Sequence, residues 1–247
     1  MLYLIGIGLN DEKDITVKGL EAVRSCSRVF LEYYTSKLTC SIQDLEKFYC
    51  KDIRLADRKL VEQQIEEKIL KPAKEEDVAL LVIGDPFSAT THVDICMRAE
   101  QMGIKVKAIH NASVLTAVGA AGLELYKYGK TTSIPFGNET VTTPIEVYKN
   151  NQHSGLHTLF LLDLDPTENR FMTIHDALEY LISKGFPEDQ LCVGCAGLGS
   201  DEPEIKAGKA GELKAAAFSL FPQCLIAVGK LHFMEEDALK SKMIIPS

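Results

Sequence analysis

The sequence contains no tryptophan, and none of its apolar stretches is long enough to cross a lipid bilayer. The apolar start, Met1 to Gly6, carries neither a basic leader nor a small-residue cleavage site, so it is interpreted as a first β-strand and not as a signal peptide. These features favour a cytoplasmic protein without a membrane partner.

Positive charge is also scarce in this chain. Lys and Arg number 27 against 35 acidic residues, and the formal net charge is −8. No cluster of basic residues offsets this charge. A field of this sign repels phosphate backbones, so we expect no direct contact with nucleic acid.

The seven cysteines are odd in number and widely spaced, which argues against a disulfide framework and fits a reducing compartment. Cys192 and Cys195 form a C-x-x-C pair inside an apolar strand pattern, where residues three apart face opposite sides. A zinc site would need a second pair of cysteine or histidine ligands at a suitable spacing, which the sequence lacks. We therefore predict core cysteines and no bound metal.

The most informative stretch is an uninterrupted apolar run, Val78 to Ile83, which ends at Gly84-Asp85-Pro86. Such a run is typical of a strand buried on both faces of a parallel sheet. Thr90 or Thr91 can then cap a helix. The pattern predicts a strand, a tight loop and a helix N-terminus, and open α/β sheets bind ligands in such loops, at the carboxyl ends of their strands.

Strand and helix patterns alternate five times before His110, which predicts a parallel, doubly wound α/β domain over residues 1–111. Strands are more frequent afterwards, so we expect a second α/β domain with a mixed sheet over residues 112–247. The predicted strands are 2–7, 29–33, 53–55, 78–83, 105–109, 131–135, 157–165, 191–196, 204–210 and 223–231. The predicted helices are 16–26, 38–49, 59–70, 91–102, 113–123, 144–149, 173–184 and 214–218.

Several residues at the predicted loops leave alternatives open. Gly6-x-Gly8 matches the start of a dinucleotide fingerprint, but the third glycine is missing. Three explanations therefore stay open: an NAD site, a tight turn, or close approach of the backbone to a small ligand. Asp85 is either a catalytic carboxylate or a turn residue, and its place at the end of a strand favours ligand contact. His92 is expected to be neutral, because a helix N-terminus disfavours imidazolium. His232 fits a binding site and a surface turn equally well.

A set of longer motifs extends over most of the chain. They are YLIGIGL at 3–9, DITVKGL at 14–20, YTS at 34–36, GDP at 84–86, ATTH at 89–92, AVG at 117–119, LHTL at 156–159 and GKLH at 229–232. In these motifs the chain resembles the diphthine synthase family, which has the wider tetrapyrrole-methylase-like fold. The resemblance implies two α/β domains, S-adenosylmethionine in the cleft between them, and a homodimer.

The same resemblance implies a reaction and a substrate. It implies a methyltransferase of diphthamide biosynthesis that acts on translation elongation factor 2, one histidine of which already carries an aminocarboxypropyl group. The amine of that group is methylated repeatedly to give diphthine, and eukaryotic members are expected to form diphthine methyl ester as well. The loops after Tyr34 and Phe136 are candidate docking segments, and the acidic surface would suit basic patches on the factor.

The resemblance also implies cofactor contacts, residue by residue. These are Leu9, Asp85, Ser88, Ser113, Val114, Leu162, Leu198 and His232. Gly197 departs from the arginine that is usual in the family, and segment 184–190 is shorter than in many members. We expect Asp85 to orient the polar end of the cofactor and not to transfer a proton. No general base is evident, so the catalytic residues stay unassigned.

Two other functions compete with this interpretation. The same fold could methylate a tetrapyrrole, although the lack of tryptophan and of additional stacking aromatics disfavours a porphyrin acceptor. A non-catalytic protein that binds S-adenosylmethionine or the elongation factor is the other alternative. Labelled methyl transfer to the elongation factor would separate all three.

Overall fold

The computed structural model describes residues 1–244 and divides the chain into two compact units between Leu115 and Thr116. The boundary predicted near Asn111–Ala112 lies shortly before this division. The two units are described separately below, as unit 1 and unit 2.

Unit 1 contains five strands: β1 (Leu2–Gly6), β2 (Arg28–Glu32), β3 (Ile53–Ala56), β4 (Val78–Val82) and β5 (Val106–Ile109). All of them pair in parallel, in the order β3-β2-β4-β1-β5. The central strand β4 is buried along its whole length, as its apolar run predicts. Its alternate side chains enter different hydrophobic clusters, with Ala79 and Leu81 in one and Val78 and Leu80 in the other. The predicted parallel α/β architecture is therefore confirmed.

The helices of unit 1 are α1 (Val17–Ser25), α2 (Ile42–Tyr49), α3 (Lys71–Ala73) and α4 (Val93–Gln101), with π-helical turns at Leu60–Gln64 and Glu66–Leu70. Local capping sets where the first two begin. Thr16 accepts a hydrogen bond from the Gly19 amide, and Ser41 forms a capping box with Asp44. The second helix consequently starts after Ser41, a few residues later than its apolar pattern predicts.

Unit 2 contains β6 (Thr132–Ile134), β7 (Thr158–Leu162), β10 (Leu191–Ala196), β11 (Glu204–Lys209) and β12 (Gln223–Ala227), in the order β11-β10-β12-β7-β6. Only the β6–β7 pair among these is parallel, so the sheet is mixed, as predicted. A short hairpin is formed by β8 (Leu164–Asp165) and β9 (Arg170–Phe171).

The helices after β5 are α5 (Val114–Ala117), α6 (Thr143–His153), α7 (Ile174–Ser183), α8 (Ala210–Ala215) and α9 (Phe233–Lys240), with 3-10 turns at Val118–Ala121 and Leu125–Lys127. The core of unit 2 contains Phe160, Leu178, Leu181 and Leu225, all fully buried. Burial of each such side chain contributes roughly 1.5–3 kcal/mol. Cys192 and Cys195 are also fully buried, which confirms them as core cysteines.

Several further elements differ from the predictions. The strand predicted at 157–165 is interrupted after Leu162, and the helix predicted at 113–123 is a short α-helix followed by a 3-10 turn. The helical piece predicted at 214–218 lies earlier, at Ala210–Ala215. Helix α9 follows a strand that ends at Ala227, where the sequence predicts a strand up to residue 231 and no helix afterwards.

Candidate functional site

In unit 1 the loops that follow β1 and β4 approach each other through two glycines. The Gly84 amide donates to the Gly8 carbonyl at 2.7 Å, and both residues have positive φ, +83° at Gly8 and +86° at Gly84. A Cβ atom at Gly6 would lie 2.5 Å from the Gly84 carbonyl oxygen. A side chain at Gly6 would force the two loops apart, and the positive φ of Gly8 and Gly84 favours glycine at those positions. Of the explanations open for Gly6-x-Gly8, the structure shows the tight turn, which packs against the loop after β4.

Gly84 also borders a small space that is free of protein atoms. A Cβ atom built on it would lie 3.8 Å from the Ala112 carbonyl oxygen, 3.9 Å from Leu9 Cδ2 and 3.9 Å from Ser113 Cα. The structure thus brings the predicted cofactor residues Leu9 and Ser113 together around the glycine that precedes Asp85. Ser88 lies in the same loop as Asp85, and Val114 starts α5 directly after Ser113. The space is about the size of one methyl group, because all three atoms lie at ordinary van der Waals distance from that Cβ position.

Asp85 joins the loop after β4 to the loop after β5. Its carboxylate is 9% exposed and accepts hydrogen bonds from the Phe87 amide at 2.9 Å, His110 Nδ1 at 2.8 Å and the Asn111 amide at 3.1 Å. Burial raises the pKa of Asp85, but these hydrogen bonds outweigh burial and hold the pKa below its usual range. Asp85 is therefore an ionised turn residue, and its oxygens are largely engaged by the protein itself.

Two further side chains hold the loop after β1. Asp14 Oδ2 accepts hydrogen bonds from the Leu9 amide at 3.0 Å and the Asn10 amide at 2.7 Å. Asn111 Nδ2 donates to the carbonyls of Gly6 and Asp14, both at 3.0 Å. These bonds position the backbone of Leu9. The sequence does not predict this role for Asn111, because its partners lie about a hundred positions away along the chain.

A buried pair, Glu32 and His92, also contacts the loop after β4, through the Pro86 carbonyl. His92 Nδ1 lies 2.8 Å from the Pro86 carbonyl oxygen, and Nε2 contacts Oε2 of Glu32. The other carboxylate oxygen, Oε1, accepts a hydrogen bond from Thr35 Oγ1. Neither side chain is more than 3% exposed. Burial lowers the pKa of His92, but Glu32 and the Pro86 carbonyl outweigh it, so the pKa is raised. Because both ring nitrogens face acceptors and the pKa is raised, the site favours the protonated ring over the neutral ring expected from the sequence.

The predicted cofactor residues of unit 2 end or follow strands that run in opposite directions, so they lie at opposite ends of the strands of its sheet. Leu162 ends β7, and Leu198 follows β10. These strands are both antiparallel to β12 and so run in the same direction, which places Leu162 and Leu198 at one end. His232 follows β12 and therefore belongs to the opposite end, where it forms the N-cap of α9. Unit 2 by itself does not bring His232 next to the two leucines.

The backbone of His232 is held by a buried carboxylate, Glu235. This side chain is 1% exposed and accepts from the His232 amide at 2.8 Å, the Glu124 amide at 2.9 Å and His157 Nε2 at 2.9 Å, as well as from Lys127 Nζ. Burial raises the pKa of Glu235, but Lys127 and the other donors outweigh it and lower the pKa to about 2. Glu235 is therefore ionised and organises the start of α9.

His157 is held between Glu235 and the segment that leads to His232. Its Nδ1 accepts a hydrogen bond from the Gly229 amide at 2.9 Å, so the proton of the neutral ring is on Nε2, which donates to Glu235. Burial is the largest influence on His157 and lowers its pKa. The neutral ring thus links Glu235 to the backbone at Gly229 by two hydrogen bonds. His157 belongs to the LHTL motif, and this contact is not predictable from the sequence because Glu235 lies 78 positions away.

Within residues 1–244, no group of His, Cys, Asp and Glu side chains is arranged to hold a metal ion. In the same part of the chain, every helix is too short or too polar to cross a membrane. The polar side chains described above instead fix backbone segments at the strand ends.

Comparison with known proteins gives a consistent picture. A sequence profile of tetrapyrrole (corrin/porphyrin) methylases matches residues 1–214. The chain is 43% identical to a diphthine methyl ester synthase of Dictyostelium discoideum over 264 residues, which covers 96% of each protein. It is 42% identical to the diphthine methyl ester synthase of Homo sapiens, covering 97% of this chain and 94% of that protein. A crystal structure of diphthine synthase superposes with a TM-score of 0.93 at 40% identity, over 99% of this chain and 96% of that one.

Proposed function

Because the chain belongs to the tetrapyrrole methylase family, we propose that it is an S-adenosylmethionine-dependent methyltransferase of diphthamide biosynthesis. Its substrate would be translation elongation factor 2 with an aminocarboxypropyl group on one histidine, and its product diphthine or diphthine methyl ester. The observation that carries this proposal is the similarity to diphthine methyl ester synthases, which extends over nearly the full length of both proteins. A tetrapyrrole acceptor would explain the family but not this full-length similarity.

The proposed cofactor contacts are those that the motifs indicate. In unit 1 they are Leu9, Asp85, Ser88, Ser113 and Val114, and in unit 2 they are Leu162, Leu198 and His232. The surroundings of Gly84 support the first set, because Leu9 and Ser113 both lie about one van der Waals contact from the Cβ position of this glycine. When bound, S-adenosylmethionine supplies a methyl group that is electrophilic without the help of a metal.

The protein's own contribution is positioning. Asp14, Asn111 and Asp85 hold the loops after β1, β4 and β5 in one arrangement, and the Glu32–His92 pair supports the loop after β4. Rigid loops of this kind can keep an acceptor aligned with the methyl group that it attacks. Such near-attack geometry provides effective molarities of about 10⁵ M or more.

The decisive experiment is methyl transfer with a labelled donor to three acceptors. We expect transfer to elongation factor 2 that carries the aminocarboxypropyl group, and none to the unmodified factor or to a tetrapyrrole such as a precorrin precursor. Transfer to the tetrapyrrole alone would establish the first alternative. Binding of donor and factor without any transfer would establish the non-catalytic one.

We further propose that the factor docks partly through its basic surface. The chain has a net charge of −8, and the loop after Phe136 borders a groove of about 700 Å³ in unit 2. Three acidic residues line this groove, Glu139, Asp176 and Glu179, against two basic ones, Arg170 and Lys184. Opposite charges would speed association at low ionic strength. Binding that does not weaken as salt is raised would contradict this mode of docking.

Two other expectations complete the proposal. A homodimer follows from the family resemblance, and its mass in solution can be measured by light scattering. A cytoplasmic location follows from the substrate, because the elongation factor acts there, and imaging of a tagged copy would test it.

A further inference from the structure

His110 is an exposed histidine at the carboxyl end of an edge strand of the unit 1 sheet. His110 follows β5 directly, and its side chain is 69% exposed. Its Nδ1 lies 2.8 Å from Asp85 Oδ2, and its ring lies 5.8 Å from that of Phe87, centroid to centroid. His110 therefore has one nitrogen anchored to a nearly buried carboxylate while the rest of the ring faces outward.

The hydrogen bond to Asp85 determines which nitrogen of His110 can act as a base. A carboxylate oxygen only accepts, so Nδ1 carries the proton of the neutral ring. The lone pair is then on Nε2, which has no hydrogen-bond partner within residues 1–244. This is the arrangement by which a carboxylate sets the tautomer of a histidine base.

The proposed reaction needs such a base in some of its steps and not in others. When an amine attacks, its lone pair forms the N–C bond, the C–S bond breaks and the electron pair goes to sulfur. The product is an ammonium, which must lose its N–H proton before the nitrogen can attack again. When a carboxylate attacks, an O–C bond forms in the same way, but no proton has to leave.

We propose that His110 Nε2 accepts the protons released by the substrate amine, and that Asp85 keeps the ring in the tautomer that can do so. This proposal rests on the proposed function. The location supports it, because His110 lies three residues before Ser113 and is bonded to Asp85, two of the proposed cofactor contacts. Its exposure would allow the proton to pass on to solvent.

The test compares the two kinds of methyl transfer in a His110→Gln variant. One acceptor is elongation factor 2 with the aminocarboxypropyl group, which reports N-methylation. The other is the factor with its amine already fully methylated, which reports ester formation at the carboxylate. We expect N-methylation to slow by about 10²-fold, the lower end of the usual contribution of a general base, and ester formation to change by less than about twofold.

A matched control and two further readouts support the comparison. His153→Gln replaces another exposed histidine, at the end of α6, and should leave both rates unchanged. Added imidazole should restore part of the N-methylation rate of His110→Gln. Calorimetry with S-adenosylhomocysteine should give the same affinity for the variant as for the unaltered protein, because the base acts on the acceptor.

The outcomes separate this proposal from the function on which it rests. Equal slowing of both transfers, or N-methylation at the normal rate, would overturn the role of His110 and leave the methyltransferase assignment in place. An unaltered protein that methylates neither acceptor would overturn both.

Discussion

At the scale of single residues, Gly84 and Gly103 offer a controlled comparison. Both have positive φ, +86° and +73°, so an alanine is strained by about 1 kcal/mol at either position. A Cβ atom at Gly103 meets nothing within 4 Å, whereas one at Gly84 occupies the space bordered by Leu9 and Ser113.

We predict that Gly84→Ala and Gly103→Ala lower the free energy of unfolding by similar amounts, about 1 kcal/mol each, as measured by urea denaturation. Only Gly84→Ala should also weaken the binding of S-adenosylhomocysteine, by about tenfold or more, as measured by calorimetry. Unchanged affinity in Gly84→Ala would show that the cofactor does not use this space.

Asp85 can be tested in the same way. Asp85→Ala removes the acceptor for the Phe87 and Asn111 amides and for His110, so the loop loses its shape. We expect the free energy of unfolding to fall by about 2 kcal/mol, because charged hydrogen bonds in a nearly buried site are lost. The affinity for S-adenosylhomocysteine should fall strongly as well. Normal affinity, measured by calorimetry, would contradict any part for this loop in cofactor binding.

Some of the residues that organise the site were predictable from the sequence, and others were not. The Gly84-Asp85-Pro86 loop was predictable because its cause is local: a buried strand ends at a glycine and a proline. Asn111 and Glu32 were not predictable, because their partners lie far along the chain and an isolated Asn or Glu has no pattern. Their functions become visible only when the strand ends are adjacent in space.

At the scale of elements, α9 was not predicted because its first turn exposes apolar side chains and buries a charged one, the opposite of an ordinary surface helix. Phe233 and Met234 are 62% and 58% exposed, while Glu235 is buried. Apolar periodicity therefore points to the wrong face. The strand predicted at 157–165 failed for another local reason: Asp163 accepts hydrogen bonds from the Phe136 and Leu164 amides, which diverts the chain after β7.

The buried Glu235 explains how α9 is nonetheless stable. It joins the helix start to His157 and Lys127, so removing its charge leaves Lys127 without its partner in a largely buried position. We predict that Glu235→Gln lowers the free energy of unfolding by about 3 kcal/mol, as measured by urea denaturation.

Glu236→Gln is the matched control for this prediction. Glu236 lies in the same first turn of α9 but is exposed, so the change should stay within about 0.5 kcal/mol. Equal effects of the two substitutions would mean that the negative charge near the helix N-terminus matters and that the buried cluster does not.

At the scale of the whole molecule, the two units contain buried histidines of opposite behaviour. The pKa of His92 is raised, chiefly by Glu32, although burial opposes the shift. Its contribution to the stability of unit 1 is present below the unfolded histidine pKa of about 6.5 and is lost as the pH rises through the folded pKa. The pKa of His157 is lowered by burial and further by Lys127, against Glu235 and Glu124. Its contribution to unit 2 is present above about 6.5 and is lost as the pH falls through the folded pKa.

We therefore predict that the two units respond to pH with opposite signs. Hydrogen exchange, corrected for the intrinsic rate at each pH, should show β2 losing protection as the pH rises and β7 losing protection as the pH falls. Glu235 does not disturb the comparison near neutrality, because its pKa of about 2 keeps it ionised there. His92→Gln should remove the pH dependence of β2 alone, and His157→Gln that of β7 alone. If either substitution flattened both profiles, the two units would be titrating as one cooperative structure, and the separate assignment of the two histidines would be wrong.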